Sequence, residues 1–360
     1  MVGQSRVWCG VAAALAFAAV GCGAGGGSAP SAGPTGGKRA GAGFPVEVTD
    51  CEGRRTTVAS APRAIVTSNA SALELLLRLG AGDRVVGTGF PPGEGALPGK
   101  LGEQARRVPV LSRTVIPKEK LLGSGADLYV DTFATANRGG HAMGDKPTGE
   151  EFRAAGITHV YLKSTACAAA AKGPATDLTA VTGDIRDLGA VTGTADRAAE
   201  LAAEVDRRVG AVRKAVGPVP EEDRPTYFLF DYDAGTSQPV AVCNRQVANA
   251  VITLAGARNV FADCDDTFKQ VGWEEVVSAD PDWIQLAVRN RGSAAATEKA
   301  FDEARAWLEG NAATRGLKAV KEDRYVRLGS EATTIAGVRN ADAVERIAAT
   351  LYPSRVKAGR

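Results

Sequence analysis

Imidazole is scarce in this chain: only His141 and His159 supply it, beside six cysteines. No two cysteines are spaced C-x-x-C, so a closed zinc site lacks ligands and no metal site is expected. Hydrolytic chemistry is equally poorly supplied. There is no G-x-S-x-G elbow, no H-E-x-x-H pair and no P-loop. Serine, histidine and carboxylate occur, but nothing spaces them as a triad, so a secreted hydrolase is only a minor alternative. Gly21, Gly23 and Gly26 fall as G-x-G-x-x-G, a pattern with meaning only between a strand and a helix, and here it precedes coil. What remains is the chemistry of recognition. Loop arginines suit carboxylate or phosphate oxygens, and loop aromatics suit an apolar ligand body.

The elements that must hold such groups alternate between strand and helix. Val46–Thr49 and Thr56–Val58 bracket a turn at Glu52-Gly53 and predict a hairpin. Short apolar runs at Ala64–Thr67, Val85-Val86, Leu128–Val130 and His159–Leu162 read as buried strands. Helices are expected from Ser71 to Gly80, from Lys118, and after Thr148, where Glu151 has capping-box spacing. From Thr194 to Val216 the apolar residues keep a helical period, which predicts a rod of roughly 33 Å. Strands at Tyr227–Phe230, Trp283–Leu286 and Tyr325–Leu328 then alternate with helices at Gln246–Leu254, Trp273–Ala279, Glu298–Leu308 and Ala341–Leu351. Such alternation implies parallel sheets covered by helices. Two α/β halves flanking one long helix leave a cleft between lobes, a common place for a small-molecule site.

Hydrophobic content of 44%, charge of 23% and a net charge of +2 are those of an ordinary globular chain of 360 residues. No basic surplus points to nucleic acid. The N-terminus reads differently. Arg6, the apolar stretch Val11–Val20 and small residues up to Gly21 form an export-signal pattern, too short to span a bilayer. Ala19-Val20-Gly21-Cys22 resembles the lipobox of bacterial lipoproteins, which implies acylation of Cys22 and anchoring on the extracytoplasmic face of the cell membrane. Residues 22–43 are mostly Gly, Ala, Ser and Pro with little to bury, and are expected to be a disordered tether.

Several segments resemble the metal-chelate-type solute-binding proteins of ABC importers, which serve siderophores, haem and cobalamin. They are Thr49–Arg54 with Ala61–Val66, Ala72–Glu74 with Leu79–Gly87, Leu254–Asp263, and Trp273–Val277 with Asp280–Ile284. Gly125-Ala126-Asp127-Leu128 departs from the family's Pro-Asp-Leu element at its first two residues. The resemblance covers about residues 46–352. It implies a class III solute-binding fold, with two Rossmann-like lobes joined by a single long interlobe helix. The expected parts are a signal peptide at 1–21, a tether at 22–43, an N-terminal lobe at 44–190, the interlobe helix at 191–217 and a C-terminal lobe at 218–360.

The resemblance also implies roles. Glu74 and Glu274 match the family's permease-docking carboxylates, one per lobe and exposed, with Glu275 as the fallback register. Read without the family, Ser71-x-x-Glu74 is a capping box. Cleft residues are sought in loops following strands. In the first lobe these carry Phe133, Arg138 and His141, with Ser68, Asn69, Phe90 and Ser164 nearby. In the second they carry Tyr232, Arg245, Trp273, Arg289 and Arg339, with Asp233, Asn244 and Phe268. His159 lies within a strand and reads as structural. Pairing inside each lobe gives Cys51–Cys167 and Cys243–Cys264, with free thiols or a single bond as alternatives. The implied chain is a monomeric binding protein without a cofactor, partnered by a permease and an ATPase. The implied ligand is a ferric siderophore-type chelate, with cobalamin or a deazaflavin cofactor precursor as alternatives.

Overall fold

Alternating residues open the described chain: β1 (Val46–Thr49) pairs antiparallel with β2 (Arg55–Val58), Val46 opposite Val58. The structure is a computed structural model that describes residues 43–133 and 146–357. Cys22, the 1–21 signal, the 22–43 tether short of its last residue, Arg138 and His141 lie outside the described residues.

The first lobe runs β3 (Ile65–Thr67), α1 (Ala70–Arg78), β4 (Val85–Thr88), α2 (Gly99–Arg107), α3 (Lys118–Leu122), β5 (Leu128–Asp131), α4 (Gly149–Ala154), β6 (Thr158–Tyr161), α5 (Lys163–Ala166) and α6 (Thr179–Thr192). Its sheet is parallel, in the order β4-β3-β5-β6. β3 and β5 are buried along their whole length, as strands covered on both faces must be. The capping box at α4 forms as its spacing predicts, between Thr148 and Glu151. At α1 it does not. That helix begins one residue earlier, and Asn69 Oδ1 accepts from the amides of Ser71 and Ala72. Asn69 reaches these orphan donors from the N-cap position, so Ser71 and Glu74 are left free for other partners.

Helix α7 (Ala195–Val216) follows α6 after a break at Gly193, whose φ of +70° lets the chain turn between the two helices. The expected connector at 191–217 therefore contains the end of α6 as well as α7. Ala198, Leu201, Ala202, Val205, Val212 and Val216 form its buried stripe, at the helical period read from sequence. Arg197 Nε donates to the carbonyl of Arg78 in the first lobe at 3.1 Å.

The second lobe runs β7 (Thr226–Asp231), β8 (Val240–Val242), α8 (Val247–Leu254), β9 (Arg258–Asn259), β10 (Phe268–Gln270), α9 (Trp273–Ala279), β11 (Trp283–Ala287), α10 (Ala294–Gly310), α11 (Lys318–Lys321), β12 (Tyr325–Arg327), α12 (Ser330–Thr334) and α13 (Arg339–Leu351). Its parallel sheet has the order β12-β11-β7-β9, and β8 pairs antiparallel with β10. Arg208 of α7 reaches both Asp342 and Glu345 of α13, which ties the connector to this lobe. Numbered within each lobe, both sheets have the strand order 2-1-3-4. The switch points fall between β3 and β5 and between β7 and β11. Cys51–Cys167 ties the opening hairpin to the end of α5, and Cys243–Cys264 lies within the second lobe.

Candidate functional site

Open parallel sheets bind ligands beyond the carboxyl ends of their strands, where the strand order reverses. In the first lobe that place is built from short polar residues. Thr67, Ser68, Asn69, Thr88 and Thr132 are all buried. Ser68 and Thr132 hydroxyls lie 3.2 Å apart, and Asn69 Nδ2 donates to Thr132 Oγ1 at 2.5 Å, so the loops after β3 and β5 are locked together. Two aromatics stand at the ends of β4 and β5. Phe90 and Phe133 meet edge to face with ring centroids 6.0 Å apart. Phe90 holds a φ of +34°, a left-handed conformation that costs a non-glycine residue about 1–2 kcal/mol. Strain of this kind collects at functional sites.

Asp131 ends β5 and is fully buried. Its Oδ1 accepts the amide of Phe133 at 2.9 Å, and its Oδ2 faces Lys146 Nζ and His159 Nε2, each at 3.3 Å. Lys146 also donates to the Phe133 carbonyl at 2.8 Å and sits 5.6 Å from the centre of its ring. The buried carboxylate thus holds both the Phe133 backbone and a cation beside its ring. His159 packs among Tyr129, Phe152 and Tyr161.

The second lobe repeats the device. Asp231 ends β7 and accepts the amide of Asp233, an Asx-type turn like that of Asp131 with Phe133. Burial pushes its carboxyl up to about 6, and the Arg289 guanidinium partly opposes that rise. Asp233 Oδ2 accepts the Arg289 amide at 2.7 Å, and Oδ1 pairs with Arg291, which joins the loops after β7 and β11. Tyr232 is half-buried, with its ring edge on Phe230. Arg289 is exposed.

Phe133, Tyr232 and Arg289 therefore stand at the strand ends. Three other expected cleft residues do not. Trp273 is 7% exposed in an aromatic core with Phe228, Phe230 and Trp307, and its indole N–H donates to the Thr236 carbonyl. The apolar face of α9 needs that ring, which leaves none of it for a ligand. Arg245 is held by both oxygens of Asp265 and by the Ala169 carbonyl. Arg339 is held by Glu74 and the Ala96 carbonyl. Asp131, Asp231 and Lys146 were missed, and the signal for the two carboxylates was an Asp closing an apolar strand run.

The expected docking pair is divided. Glu274 is exposed in the first turn of α9. Glu275 beside it caps that helix and pairs with Lys269 at 2.8 Å, which lowers its carboxyl. Glu74 is only 2% exposed, against the expectation of an exposed carboxylate. Arg78 and Arg339 compensate its buried charge.

Comparison with known proteins agrees with this architecture. A cobalamin-binding protein of Halobacterium salinarum is 28% identical over 256 residues, 68% of this chain and 59% of that protein. The chain thus spans well under two thirds of that relative. An uncharacterized ABC transporter substrate-binding lipoprotein of Bacillus subtilis, YvrC, is 23% identical over 320 residues, 87% of this chain and 88% of that one. The crystal structure of an ABC-type Fe3+-hydroxamate transport system from Saccharomonospora viridis superposes with a TM-score of 0.68 at 24% identity, covering 86% of this chain and 99% of that one. The pattern of one family spans residues 65–332, from β3 through most of α12, and the chain belongs to that family, the periplasmic binding proteins.

Proposed function

We propose that this chain is the substrate-binding component of an ABC importer, anchored by a lipid on Cys22, and that its cargo is a ferric siderophore-type chelate. The observation that carries the reading is the pair of strand-end sites. Each offers aromatic surface, Phe90 and Phe133 in one lobe and Tyr232 in the other, and the exposed Arg289 adds a cation in the loop after β11. Aromatic faces suit the organic body of a chelate, and cations suit its anionic oxygens. The name of the Saccharomonospora structure supports iron, and those of both relatives support capture rather than turnover.

Cobalamin is the second reading, favoured by the name of the Halobacterium relative. Titrating the full chain with ferric hydroxamates, catecholates and citrate, against cobalamin, decides between the two. Quenching of indole emission reports binding, because Tyr232 contacts Phe230, which meets Trp273 edge to face and stacks on Trp307. Cobalamin binding with no response to any ferric chelate would overturn the iron assignment. In the docking reading Glu274→Ala abolishes uptake in cells and spares binding in solution.

A further inference from the structure

We propose that the ion pair between Arg339 and Glu74 is a latch that holds the two lobes shut and hides Glu74 until they part. Glu74 lies on α1 against the first sheet, whereas Arg339 opens α13 in the second lobe. The two residues are 265 positions apart in sequence and meet at 2.6 Å, Nε to Oε2. The other oxygen of Glu74 takes both Nε and Nη2 of Arg78 from the same helix, at 2.9 and 2.8 Å. One nearly buried carboxylate is therefore shared between a guanidinium of its own lobe and one from across the seam.

The latch sits in a loop shaped for the purpose. Asn340 is fully buried and ties the segment together, donating to the carbonyls of Ala332 and Ile335 and accepting the Gly337 amide. First-lobe groups grip that loop at three further points. Ser71 Oγ donates to the Ala336 carbonyl at 2.9 Å, the Ala336 amide donates to Thr165 Oγ1 at 2.8 Å, and Arg339 Nη2 donates to the Ala96 carbonyl at 2.7 Å. A Cβ at Gly337 would lie 2.5 Å from Ser71 Oγ, so this glycine permits the close approach.

Other contacts cross the seam, but they are of a different kind. The Glu94 amide donates to the Gly292 carbonyl, the Ala175 amide donates to the Asn244 carbonyl, and Asn249 Nδ2 donates to the Ala175 carbonyl. Water can replace such neutral bonds with little net change, and Arg245, whose Nη1 donates to the Ala169 carbonyl of the first lobe at 3.0 Å, makes a charged contact across the seam without a carboxylate partner there. Among the described residues, the Glu74–Arg339 contact is the only ion pair joining helices of the two lobes directly. Opening the lobes separates it and exposes the carboxylate. A ligand or partner that favours the open state then gains an accessible Glu74 by linkage. The inference rests on the two-lobe reading of the fold and not on the docking role of Glu74.

The latch can be tested on the full chain without ligand or permease, so its failure is separate from any failure of the functional reading. Spin labels on a genetically encoded keto amino acid at exposed Lys120 of α3 and Lys299 of α10 report the separation of the lobes by pulsed electron resonance. The wild-type chain should give one short, narrow distance distribution. Arg339→Gln should add a longer, broader population, and Ser71→Ala should do the same to a smaller extent. Arg78→Gln removes only the partner within the helix and should match wild type. An unchanged distribution in both Arg339→Gln and Ser71→Ala would overturn the latch, as would an equal opening in Arg78→Gln. If Arg339→Gln does not fold, Ser71→Ala against Arg78→Gln decides alone.

Discussion

Asp184 and Asp231 are carboxyls that burial pushes up to about 6, and each is kept for its hydrogen bonds. Asp184 of α6 accepts the amides of Lys163 and Ser164, both at 2.8 Å, and the Ser164 hydroxyl, and so caps the start of α5 from another helix. Its folded value lies above the usual 3.8, so the fold binds its proton more tightly than the unfolded chain does. That stabilisation is complete below about pH 4 and is lost as pH rises through about 6. Relative to Asp184→Asn, the wild-type stability should therefore fall by about 2 kcal/mol between pH 4 and pH 7, measured by urea unfolding. A constant difference across that range would contradict the assignment. Phe90 provides a second test at this scale. Phe90→Gly relieves strain of about 1–2 kcal/mol and loses an aromatic contact worth about 0.5–1.5 kcal/mol. The melting temperature should barely move, while affinity for the ligand that the titration identifies should fall about tenfold. Loop-after-strand reasoning reached Phe90, Phe133, Tyr232 and Arg289 because strand ends are readable from apolar runs. It misplaced Trp273 and Arg245, because the residues that occupy them, Trp307 and Asp265, are set by packing that no local pattern encodes.

Among the elements, α6 and α7 show how a helix pair can be read and misread. The apolar period and the ending at Gly217 made α7 legible. α6 was not anticipated. Its sequence, TAVTGDIRDLGAVT, carries two glycines and three threonines, all poor helix formers. Tertiary packing overrides that propensity, and one of the glycines shows how. A Cβ at Gly189 would lie 2.2 Å from the Cβ of Ala198 on α7, whereas one at Gly183 would meet nothing within 4 Å. The same substitution should therefore have opposite signs on one helix. Gly183→Ala should stabilise the chain by up to about 1 kcal/mol through helix propensity. Gly189→Ala gains the same term but must force two helices apart, because a methyl group on Ala198 cannot rotate away. Overpacking of this kind costs about 1–3 kcal/mol, so a net loss is expected. Thermal unfolding of the two variants side by side measures the contrast. Equal effects would mean that the close crossing of α6 and α7 is not formed.

The order of elements in the whole molecule followed from alternation, and the two-lobe arrangement from a resemblance spread along the chain. The seam between the lobes was not legible. Glu74 and Arg339 belong to helices 265 positions apart, and a capping-box pattern at Ser71 masked the role of both Ser71 and Glu74. The covalent ties, in contrast, stay inside the lobes and leave the seam free to move. Their loops differ in size: Cys51–Cys167 closes 116 residues and Cys243–Cys264 closes 21. A cross-link restricts the unfolded chain more when its loop is longer. Chain-entropy estimates give about 5 kcal/mol for the first bond and about 3 kcal/mol for the second. Replacing Cys51 and Cys167 with alanine should therefore lower unfolding free energy more than replacing Cys243 and Cys264, as read from denaturant midpoints at equal slope. Neither replacement should change the distance between labels on the two lobes, because neither bond crosses the seam. A shift in that distance on removing either bond would show that the lobes are coupled through their disulfides as well as through Arg339.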